Sequence, residues 1–78
     1  MITLDDIDYL AEFDGLLDCP TQEVRMFLVE CVTSFCLEKF GVSVTFVTVL
    51  EICRVAGEMR CGSRLYSEGK KLIERKLI

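Results

Sequence analysis

The sequence predicts an all-α domain, a small bundle of three to four helices. A hydrophobic central helix is expected at about 22–40 and a long or kinked helical region at about 44–77. Three observations carry this. Apolar residues recur at helical spacing through most of the 78-residue chain. The only proline, Pro20, and Gly41 fall between the periodic segments, where helices stop. One run alone reads as a strand, and this chain offers no second strand to pair with it.

The first helix is read in TLDDIDYLAEFDGLL. Thr3 suits the N-cap, and the acidic residues after it suit the positive end of the helix dipole. Leu4, Ile7, Leu10 and Ala11 share one face, and Asp5, Asp8 and Glu12 share the opposite one. Gly15 weakens its end. Cys19 precedes Pro20, which disfavours helix there, so Thr21 or Asp18 is expected to cap the second helix.

That helix, QEVRMFLVECVTSFCLEKF, gathers Glu23, Glu30, Ser34 and Glu38 in one sector. Val24, Phe27, Leu28, Val29, Cys31, Val32, Phe35, Cys36 and Phe40 spread round the remainder. An apolar arc this wide predicts a helix covered on two sides, and therefore the centre of the core. Gly41 is its expected C-terminal stop.

The run GVSVTFVTVL is the strand-like one, because Val42, Val44 and Phe46 alternate with Ser43 and Thr45. As a strand it would pair only with its own copy across a dimer axis. The favoured reading is helical, with Ser43 as N-cap and Val47, Val49, Leu50, Cys53, Ala56 and Gly57 forming a stripe. Further on, Leu65, Tyr66, Gly69, Leu72 and Ile73, with Gly57 and Gly62, form a seam for helix packing or dimerisation. Helical glycines cost about 1 kcal/mol each relative to alanine, so a close approach by a neighbour is their expected justification.

Length and composition bound the class. The chain makes one domain, 1–78, and 51% of its residues are apolar, above the roughly 45–50% of ordinary globular chains. A mean hydropathy of +0.38 in so short a chain predicts more apolar surface than one small core hides. Self-association, most simply a twofold homodimer, or a protein partner would cover it. A membrane span is not expected, because VRMFLVECVTSFCL is interrupted by Arg25 and Glu30. Asp5, Asp6 and Asp8 stand where a secretory leader needs basic residues. A soluble, cytoplasmic protein is therefore expected.

The chain has no histidine and five cysteines without a CxxC pair, which predicts reduced core thiols and no metal site. Catalytic triads and Cys–His pairs are excluded by the same absence. Phosphate-binding glycine motifs and a calcium loop in register are also missing. No enzyme activity and no cofactor are expected. Cys19, before a helix start, and Cys61, beside Arg60, are the two thiols whose surroundings favour the thiolate. They support a redox-switch alternative.

Charge is divided along the chain. Residues 1–53 carry ten acidic and two basic side chains, a net of −8, whereas residues 54–78 carry three and seven, a net of +4. On one continuous helix Arg60, Arg64, Lys71 and Arg75 would align as a basic stripe. This is a candidate surface for an acidic partner, for the acidic first helix, or, as the alternative, for nucleic acid. The overall acidity, with a pI near 4.7, disfavours the last. The function expected is protein–protein interaction, as an adaptor, regulator or inhibitor. In size and style it is comparable to phage or mobile-element proteins that block a host protein.

Overall fold

A computed structural model describes residues 2–15, 18 and 21–77. Four helices follow one another: α1 (Leu4–Ala11), α2 (Gln22–Phe40), α3 (Phe46–Arg60) and α4 (Tyr66–Lys76). The described residues contain no strand. α3 is the hub, packed against α1, α4 and α2. The Cα radius of gyration, 11.6 Å, matches the roughly 11.5 Å expected of 78 packed residues.

α1 starts as its sequence dictates. Thr3 Oγ1 accepts the Asp6 amide at 3.2 Å, and the Thr3 amide donates to Asp6 Oδ2 at 2.9 Å. This is a reciprocal capping box. Ile7, Leu10 and Ala11 are buried, as is Ile2 before the helix, while Leu4, expected on the same face, is 59% exposed. Asp6 is itself buried, and Lys39 of α2 approaches its Oδ1 at 3.5 Å.

α2 spans the expected 22–40 and ends on Gly41, whose φ of 68° is the left-handed cap that glycine adopts without strain. Thr21 is its N-cap but makes no side-chain bond. The expectation at Cys19 and Pro20 lies outside the described residues. The predicted central role passes to α3. Of α2's nineteen residues only Val32 and Cys36 are buried. The wide apolar arc anticipated cover on two sides, but the remaining chain supplies little beyond one covering helix and an aromatic contact, Tyr9 stacked on Phe35 at 4.4 Å.

α3 begins two residues later than the Ser43 reading implied: Thr45 is the N-cap, with Oγ1 accepting the Thr48 amide at 3.3 Å. Residues 46–50 are helical, and 41–45 are not. Val49, Ile52, Cys53, Val55 and Ala56 are buried. Ile52, fully enclosed, was absent from the predicted stripe, whereas Val47, included in it, is 60% exposed in the first turn.

The region 44–77 is two helices. Gly62 takes φ 85°, and the Ser63 and Arg64 amides both donate to the Glu58 carbonyl at 2.9 and 3.2 Å, closing the end of α3. The chain then turns through Leu65 into α4. Ile73 and Leu77 are buried, and Gly69 lets α4 settle onto α3, since a Cβ there would overlap the Met59 side chain.

Candidate functional site

The predicted seam divides three ways. Gly69, Leu72 and Ile73 do pack α4 against the core. Gly57 faces Asp14, whose carboxylate occupies the space a Cβ would fill. Gly62, Leu65 and Tyr66 fall outside, because the break at Gly62 resets the helical phase; Leu65 is 72% exposed and Tyr66 45%.

The predicted basic stripe is broken by the same turn. Arg60 ends α3 and reaches back to α1: its Nη1 meets Glu12 Oε1 at 2.8 Å, and its Nη2 donates to the Ala11 carbonyl at 3.4 Å. A cation at the C-terminal end of α1 also meets the negative end of that helix. Arg64 bridges the turn, with Nε on Glu58 at 2.8 Å and Nη1 on Glu68 at 2.9 Å. Lys71 and Arg75 remain on the outer side of α4, with no ion pair among the described residues. Beside them runs a shallow groove that also takes in Leu65 and Leu72. Of the acidic set on α1, Glu12 is engaged by Arg60, and Asp5 and Asp8 stay exposed without an ion pair among the described residues.

Exposed large apolar side chains concentrate on α2. Val24, Met26, Phe27 and Leu37 are 46–63% exposed. At 100° per residue Met26 and Leu37 lie on one margin of the outward face and Val24 on the other, with Phe27 near its centre. Glu23, Glu30 and Glu38 run between them, all exposed and without an ion pair among the described residues. Phe46, 48% exposed at the start of α3, extends the Met26 margin, where it lines a groove with Val29 and Glu30. The sequence reading placed Glu23, Glu30 and Glu38 in one polar sector and Val24 and Phe27 in the core-facing arc, but singled out none of them as a binding surface. The available signal was α2's length, since a helix of nineteen residues with apolar side chains all round outgrows the cover a 78-residue chain supplies.

The thiols separate by burial. Cys53 is enclosed, and its pKa is pushed up to about 12 by burial first, then by Cys36 and the Asp14 carboxylate. Burial raises Cys36 as well. Cys61 lies in the exposed turn, 3.1 Å from Ser63 Oγ, and that hydrogen bond is the main cause holding its pKa below the ordinary 9.0. Cys19 lies outside the described residues. No group of three or more potential ligands that could hold a metal ion occurs among the described residues, and no helix among them is long and apolar enough to cross a membrane. What the exposed faces can do chemically is bind, by apolar contact and charge. Compared with protein-family models, curated proteins and solved structures, the chain matches none.

Proposed function

We propose that this chain is a protein–protein interaction module, of the adaptor, regulator or inhibitor class, whose working surface is the outward face of α2. One observation carries the reading: Val24, Met26, Phe27 and Leu37 stand exposed on the longest helix, interleaved with unpaired carboxylates. Large apolar side chains grouped on one face, bordered by charge, mark recognition surfaces. A helix face of this kind meets its partner by laying apolar anchors into a complementary groove. The chain acts by binding and not by chemistry: it has no histidine, and its core thiol Cys53 is held neutral by burial.

The nucleic-acid alternative draws less support. Of its four cations, Arg60 and Arg64 are engaged in three ion pairs with Glu12, Glu58 and Glu68, which phosphate contact would have to displace.

The test is affinity capture from the source cells with the wild-type chain and with Phe27→Asp, each first checked for helicity by circular dichroism. The expected result is a captured protein that is lost with Phe27→Asp at unchanged helicity. Equal capture by both chains would place the binding surface elsewhere.

A further inference from the structure

Beyond the choice of face lies the question of what covers it. A twofold packing of α2 on its own copy is opposed by charge. It would bring Glu23, Glu30 and Glu38 of one chain alongside the same three of the other, and like charges held together at an interface weaken it. The face instead asks for an apolar surface bearing cations.

This chain has such a surface. On the outer side of α4, Lys71 and Arg75 flank the groove of Leu65 and Leu72; Glu68 also lines it, but its charge is paired with Arg64 at 2.9 Å, which leaves the unpaired charge there positive. Leu65 is the most exposed large apolar residue described, at 72%. The two surfaces are opposite in sign and alike in having large apolar groups at their centres. α2 and α4 each pack on α3 and have little contact with each other, so one molecule does not satisfy its own faces.

We infer that the outward face of α2 binds the Leu65–Arg75 surface of a second copy, so that the chain associates through unlike surfaces. This rests on the reading of α2 as the working face. Phe27 of one copy enters the Leu65–Leu72 groove of the next, and the glutamates beside it meet Lys71 and Arg75. The carboxylates and cations that α2 and α4 leave unpaired in the single chain thereby become each other's partners. Contact between unlike surfaces also permits growth beyond two chains wherever the rotation between copies does not close.

The experiment is complementation between two variants, read as mass by light scattering with reductant present. Phe27→Asp disables the α2 face, and Lys71→Glu/Arg75→Glu disables the α4 face; all three substituted residues are exposed, and circular dichroism confirms that each variant is folded. The wild type is expected to associate, each variant alone to weaken association more than tenfold, and their equimolar mixture to recover a complex of two chains. High salt is expected to weaken the wild-type complex. The inference is overturned if the mixture stays monomeric while the wild type associates. It is also overturned if the α4 variant associates like wild type while Phe27→Asp does not, the signature of α2 packing on α2. A monomeric wild type that still captures a foreign protein through Phe27 would overturn the second copy as occupant and leave the α2 face standing. A monomeric wild type whose capture ignores Phe27 would remove both.

Discussion

Helices α2 and α3 are built from similar material and used differently. More than half the residues of each are apolar. α3 buries Val49, Ile52, Cys53 and Ala56, an i, i+3, i+4, i+7 set, and receives Asp14, in the turn after α1, closely because Gly57 has no side chain. α2, four residues longer, buries only Val32 and Cys36 and leaves Phe27 63% exposed. The difference lies less in hydrophobic content than in phase and in neighbours. Where apolar residues fall in one stripe, a single packed layer satisfies them. Where they encircle the helix, a small chain cannot, and the surplus faces outward.

The sharpest way to break this contrast is truncation at one site in each helix. Ile52→Ala should cost about 2–5 kcal/mol, for lost transfer energy and the cavity left behind. Phe27→Ala should stay within about 0.5 kcal/mol, as exposed substitutions do. Urea unfolding at low protein concentration measures both. Equal losses would mean that α2 is covered in the single chain and would erase the distinction.

Alkaline titration probes the buried thiols, Cys53 of α3 above all, with Cys36 of α2 also raised by burial. The folded pKa of Cys53 is about 12, above its ordinary 9.0. The unfolded chain therefore releases this proton first, and the contribution is complete below pH 9 and lost as pH rises toward 12. The slope from this group is up to about 1.4 kcal/mol per pH unit. Cys53→Ala should flatten that part of the stability curve, while Cys61→Ala should leave it in place.

Smaller effects belong to the helix ends. Thr3→Ala removes the Asp6 cap and should cost about 1 kcal/mol, readable as a lower thermal midpoint. The Asp6 amide then lacks its Oγ1 acceptor, while the buried Asp6 carboxylate near Lys39 keeps the bond from the backbone amide of residue 3. The smallest belongs to Arg60 and Glu12. Both side chains are largely exposed, 45% and 70%, so a double-mutant cycle should return about 0.2–1 kcal/mol, falling with salt.

Much of this fold was legible in the chain. Thr3 and the spacing of Ile7, Leu10 and Ala11 placed α1, and Gly41 closed α2, because caps and periodicity are local properties. The strand-like alternation at 42–46 gave way to helix from Phe46 because Thr45, rather than Ser43, supplies the cap. The stripe through Arg60, Arg64, Lys71 and Arg75 was drawn on one continuous helix, and a single left-handed glycine at 62 undid it. A pairing between the basic end and the acidic first helix was expected and is realised by Arg60 and Glu12. The α2 face went unread for a different reason. Periodicity reports which side of a helix is apolar, but whether that side is covered depends on how much chain remains to cover it.

The partnership of α1 with α3 has a consequence in time. α1 buries its apolar face chiefly against α3, a helix whose first residue, Phe46, lies far downstream of Leu4. At synthesis rates of about 5–20 residues per second, that separation is a wait of about 2–8 s. During it Ile7 and Leu10 have emerged without a docking surface, and α2, apolar all round, has emerged beside them. The nascent chain is therefore most adhesive just before α3 appears. The outward side of α2 that is bare in those seconds is the one that the finished protein still presents.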